Sequence, residues 1–288
     1  GAALLGMTNA ALQQMRFAAM ESVAEQHRPS AAALVMCGGI VAAILGPELA
    51  VAGYEFTEVA YEGSYWLVAL SFLGAAVVLL GYRGPEKVAA VAHGEARRLS
   101  ELLLSPSFGL ALVSGCVAFV VMSFIMTGTP ISMHHHQGHS LEDTKWVIQW
   151  HIASMFLPSL MAPLLFRWLK IRGLMVAGLL CYSGTIAIGL MDLSVMGYWY
   201  QLVLLGVGWN FLFVSGTALL PSTYEPHEAY RAQALNDSAV FSMQALAALS
   251  AGLAISNFSW AGVLLLCTLP MVLMVAALLR ERLAGQAA

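Results

Sequence analysis

The stretch YRGPEKVAAVAHGEARRLSELLLSPS, Tyr82 to Ser107, is the longest polar segment of the chain, and what flanks it decides the fold. Three apolar runs precede it, at residues 1–18, 30–52 and 64–82. Six follow, at 106–132, 146–168, 173–193, 197–221, 233–256 and 258–280. A helix needs about 20 apolar residues to cross the hydrocarbon core of a bilayer, and these runs supply them. Inside lipid every backbone polar group must be paired, and a helix does this within one segment. The chain reads as an all-α membrane protein with about nine transmembrane helices.

Composition points the same way. The 288 residues are 59% hydrophobic and 10% charged, with mean hydropathy +0.76. A soluble domain carries roughly 25% charged residues, so this chain cannot cover a water-facing surface. A net charge of −3 gives nucleic acid nothing to bind. Cys37, Cys116, Cys181 and Cys267 each sit inside an apolar run without a CxxC partner, so neither disulfide nor zinc knuckle is expected. The sequence holds no GxSxG, HExxH or Walker loop, so neither an enzyme nor a resident cofactor is expected.

The basic residues orient the helices. Alternate loops and helix ends on one face hold Arg16, Arg28, Arg83, Lys87, Arg97, Arg98, Arg167, Lys170, Arg172, Arg231, Arg280 and Arg282, whereas the opposite face holds only Lys145. The positive-inside rule makes the first face cytoplasmic. Glu48, Glu55, Glu58, Glu62, Glu142, Asp143 and Asp192 fall on the other. The first run begins at Gly1 with no polar flank, so the chain is expected to be cut inside a helix. The expected plan is a remainder of an N-terminal transmembrane bundle at 1–82, a cytoplasmic interdomain loop at 83–105 and a C-terminal six-helix bundle at 106–288. A weak internal echo fits a repeat: HRPSAAALVMCGGIVAAILG and YRAQALNDSAVFSMQALAALSAG each open a small-residue helix after a basic turn.

One constellation carries chemistry. Met122 and Met126 share a helix face in the first span after the polar segment, and His151 and Met155 share one in the next. A Met pair at this spacing is more often packing than ligand. The two spans are consecutive, however, and depth matches the pairs. At ~1.5 Å per residue Met126 lies ~10 Å and His151 ~9 Å below the outer loop, with Met122 at ~16 Å and Met155 at ~15 Å. Facing one another they would form a two-rung ladder below a loop holding Met133, His134, His135, His136 and His139, which could gather metal. Thioethers are neutral, soft ligands that favour Cu(I). His151 is the one ionisable group far inside a span, and such groups are functional by default.

These residues resemble a family. MSFIM and HIASM match the MxxxM and HxxxM motifs of the CcoA-like copper importers of the major facilitator superfamily, and QQMRFAAME resembles the end of that family's fourth helix. The resemblance implies a major facilitator helical bundle of which helices 4–12 of twelve are visible, multi-pass in a bacterial inner membrane. It implies import of copper as cargo for cytochrome oxidase assembly, with Met122, Met126, His151 and Met155 handling the ion. The expected mechanism is alternating access, metal passing from Met126 and His151 to Met122 and Met155. Gly128 and Thr129–Pro130 would relax the first ligand helix, and Pro158 and Pro163 the second. No carboxylate is expected at mid-depth, with Asp237 near the inner end of its span.

Two other readings are open. A major facilitator transporter of a small organic molecule, of drug or siderophore type, would line its path with aromatics such as Trp146, Trp150, Trp199 and Trp209. A membrane-bound copper chaperone or sensor would need far fewer spans.

Overall fold

The computed structural model describes residue 8 and residues 11–59, 62–82 and 97–287. The chain forms two compact units, residues 1–90 and 91–288. The expected interdomain loop falls largely outside the described residues. Its described part, 97–105, belongs to the second unit.

In the first unit, α1 spans Met15–Glu21, α2 Arg28–Glu55 and α3 Glu62–Leu80. α1 turns Arg16, Phe17 and Met20 inward. α2 and α3 leave Leu34, Ile44, Leu70, Leu73 and Val78 exposed. Apolar exposure of this kind suits helices long enough to cross a membrane.

The second unit comprises α4 Leu99–Leu104, α5 Pro106–Pro130, α6 Leu141–Phe156, α7 Ala162–Met191, α8 Val195–Leu219, α9 Ala229–Leu266 and α10 Thr268–Ala287. Two apolar helical runs are too long for one crossing, Leu141–Met191 with 51 residues and Pro226–Gln286 with 61. Straight, they would measure ~76 and ~90 Å against a core of ~30 Å. Each breaks at a residue with left-handed backbone, Lys170 (φ 56°, ψ 175°) in α7 and Ser259 (φ 60°, ψ 174°) in α9. The six long apolar helices among the described residues therefore make eight crossings, six of them in the second unit. Half of the remaining expected span, 1–18, lies outside the described residues.

α8 is the hub of this unit, packing extensively on α5, α6 and α7. Glycine makes that possible. A Cβ on Gly206 would stand 2.7 Å from the His151 carbonyl oxygen of α6, one on Gly208 would meet the Tyr182 ring of α7 at 2.6 Å, and one on Gly216 would lie 2.9 Å from the Ala111 oxygen of α5. Small residues let backbones approach closely where lipid supplies no hydrophobic drive between helices.

The internal echo has a structural counterpart. Each of the two segments is entered through a 3-10 turn, Glu25–His27 before α2 and Pro226–Glu228 before α9. The residue before each turn is extended, Ala24 at ψ 149° and Glu225 at ψ 156°.

Arginines fasten the basic end of the second unit. Arg97 donates to Glu228 from its backbone N–H (2.9 Å), Nε (2.9 Å) and Nη2 (2.6 Å), and Nη2 also reaches the Thr223 carbonyl at 3.0 Å. These bonds hold the Glu228 carboxyl, which precedes the 233–256 span, down to about 2. Arg172 of α7 pairs with Glu281 of α10, and Arg280 caps the Leu104 carbonyl at 2.6 Å.

Candidate functional site

The four expected ligands lie on α5 and α6. Met122, Met155 and His151 are buried and Met126 is half-buried. Both helices pack on α8 far more extensively than on each other. The His151 ring turns toward α8, where its Nδ1–H donates to the Leu202 carbonyl at 2.9 Å. That tautomer, assigned from the acceptor, leaves a lone pair on Nε2, which is buried without a partner among the described residues.

The histidine segment is folded onto the bundle. Residues Ile131–His136 continue α5 as a wide helical turn, which ends near Gly138 (φ +71°). Met133 is fully buried. The His134 Nδ1–H donates to the His139 carbonyl at 2.9 Å, and the His139 Nε2–H to the Leu193 carbonyl at 2.8 Å. His135 and His136 remain exposed. Among the described residues no three His, Cys, Asp or Glu side chains are grouped to hold a metal ion.

Below His151 the helix breaks. α6 ends at Phe156, and Leu157–Met161 forms a 3-10 turn with Pro158 in its first positions. In that register residue 158 should donate to the carbonyl of residue 155, but proline has no N–H. Asn210 of α8 takes its place. Its buried Nδ2 donates to the Met155 carbonyl and to Ser159 Oγ, each at 2.7 Å.

Next to this break lies a group of aromatic rings from four helices. Phe119 (α5) meets Trp209 at 5.3 Å, Phe213 at 5.0 Å and Phe241 (α9) at 5.4 Å, all edge-on. Trp209 stacks on Phe213 at 4.9 Å within α8 and meets Phe156 (α6) edge-on at 5.9 Å. Phe119 lies ~20 Å from the start of α5 and Trp209 ~21 Å from the start of α8, so the rings gather near mid-depth. The Trp209 Nε1–H is buried without an acceptor among the described residues. Met122 is one turn from Phe119, and Met155 adjoins Phe156. The lower rung of the expected ladder thus borders this cluster.

The other tryptophans named from sequence lie elsewhere. Trp146 stacks on Trp199 at 6.0 Å and Trp150 meets it edge-on at 5.9 Å, near the histidine end. Both Trp146 and Trp150 are exposed, as interfacial aromatics are. Asp237 is buried eight residues into α9, ~12 Å from the helix start. It accepts from Asn236 Nδ2 at 3.0 Å.

The family model described as the Major Facilitator Superfamily matches residues 1–248. The chain is 34% identical to the riboflavin transporter RfnT of Brucella anthropi over 254 residues, which are 86% of this chain and 63% of that protein. It is 31% identical to the uncharacterized MFS-type transporter YddS of Bacillus subtilis over 232 residues, 74% of this chain and 53% of that one. A second uncharacterized Bacillus subtilis transporter, YdeG, is 27% identical over 93% of the chain and 68% of its own length. The chain thus spans little more than half to two thirds of these relatives. The resemblance holds at the level of the superfamily, and no copper importer is among the relatives named here. With its all-helical, multi-pass bundle and this match, the chain belongs to the Major Facilitator Superfamily.

Proposed function

We propose that this chain is part of a carrier that moves a small planar organic solute across a bacterial inner membrane by alternating access between two helical bundles. The observation that carries this reading is the ring cluster around Trp209, placed at mid-depth where four helices meet. Phe119, Trp209 and Phe213 are buried against one another; a flat heterocycle that parted them would gain ring faces and one donor from the bare indole N–H. The relative named as a riboflavin transporter supports the same class of cargo, and we take riboflavin as the first solute to test. The basic residues orient the carrier with the Arg97–Glu228 end toward the cytoplasm.

The test is uptake of labelled riboflavin by a bacterium that can neither make nor import it, carrying the full-length gene. Saturable uptake that unlabelled riboflavin competes away is the expected result. Uptake no greater than in cells without the gene would overturn the choice of solute.

Copper import is the second reading, and the His151 Nε2 lone pair favours it. It would take Met122, Met126, His151 and Met155 as the ion's path and cytochrome oxidase assembly as its destination. Its mark is copper accumulation that falls when each methionine is changed to leucine.

A further inference from the structure

We infer that Asn210 is a positioning residue that pins a hinge between α6 and the leg at residues 162–169, and so governs release of solute toward the basic end. The inference rests on the organic-solute reading above, but its core can be tested without any solute.

The argument begins with proline. Pro158 leaves the Met155 carbonyl without a donor inside a bilayer, where an unpaired carbonyl is costly. The Asn210 amide supplies that donor and with the same nitrogen holds Ser159, one bond on each side of the break. α6 is well anchored, with Thr144, Val147, His151, Ser154 and Met155 buried and Gly206 pressed against its backbone. The leg beyond the break is not. Of residues 162–169 only Ala162 is buried, and Leu157, Leu160 and Met161 in the turn are exposed. Few side chains of the second unit therefore hold the leg, so it can swing about the break as a helix.

The pin is also contiguous with the rings. Phe156 is the last residue of α6 and Trp209 precedes Asn210, and these two side chains meet edge-on at 5.9 Å. A solute parting Trp209 from Phe156 would strain the Asn210 bonds one residue away. Conformational steps of this kind set turnover in many proteins that bind and release.

Three variants of the full-length carrier in lipid nanodiscs test this: Asn210→Leu, Pro158→Ala and the double variant. Hydrogen exchange across residues 156–163 reads the pin without solute. We expect Asn210→Leu to speed exchange there. Pro158→Ala restores the missing N–H, so the double variant should be protected again. Initial-rate riboflavin uptake reads the hinge. Asn210→Leu and the double variant should both lose about tenfold or more in maximal rate with KM little changed. If exchange in Asn210→Leu matches the parent, the pin is refuted whatever the cargo. If the double variant transports at the parental rate, Asn210 only repairs the helix and the hinge is refuted. If the parent moves no riboflavin, the solute reading fails while the exchange results still judge the pin.

Discussion

At the scale of residues, a structural difference separates His151 from Trp209. His151 stands out in sequence because an ionisable group inside a span is unusual. Its acceptor does not, since the Leu202 carbonyl is a backbone atom 51 residues away. Trp209 was legible only as one of four tryptophans. Its partners Phe119, Phe156 and Phe213, and Phe241 beyond Phe119, were not, because helices that are apolar all round carry no face signal to mark which side turns inward. The cluster makes a graded prediction. Trp209→Phe keeps a ring and removes one donor, worth ~1 kcal/mol, so KM for riboflavin should rise roughly fivefold in uptake assays. Trp209→Leu removes the ring as well and should raise KM further. Equal uptake by both variants and the parent would show that the rings only pack.

At the scale of elements, the spans and basic turns could be read from hydropathy, and Pro158 announced a weak point in its helix. The two sharp reversals could not be placed to a residue. Lys170 and Ser259 adopt φ 56° and 60° without being glycine, so no punctuation marks them in the sequence. This region of backbone is almost confined to glycine and costs ~1–3 kcal/mol for other residues. Ser259→Gly and Lys170→Gly should each raise the melting temperature of the purified carrier in detergent without slowing uptake. Unchanged or lower melting temperatures would mean that the side chains hold the turns. The Arg97–Glu228 staple predicts a pH dependence. Folding depresses the Glu228 carboxyl from 4.5 to about 2, so its stabilisation is full above the ordinary carboxylate range and fades as pH falls toward 2. Glu228→Gln should melt below the parent at pH 7, with the gap closing on acidification. A gap as large at pH 3 as at pH 7 would place its cause outside this pair.

At the scale of the whole molecule, the all-helical, multi-pass class followed from runs of apolar residues. These properties are summed over many positions and tolerate local error. Cargo is different, because it depends on which few side chains meet, and spacing along one helix does not say which neighbour that helix faces. The Met and His pairs match in depth, yet α5 and α6 each pack far more on α8 than on one another. The most direct test is riboflavin counterflow in proteoliposomes holding the full-length carrier, with Trp209→Leu compared against Met122→Leu, Met126→Leu and Met155→Leu. The account predicts saturable counterflow whose KM Trp209→Leu raises more than about fivefold and the methionine variants largely keep. No riboflavin exchange by the parent, together with copper flux into the same vesicles that the methionine variants lose, would contradict it.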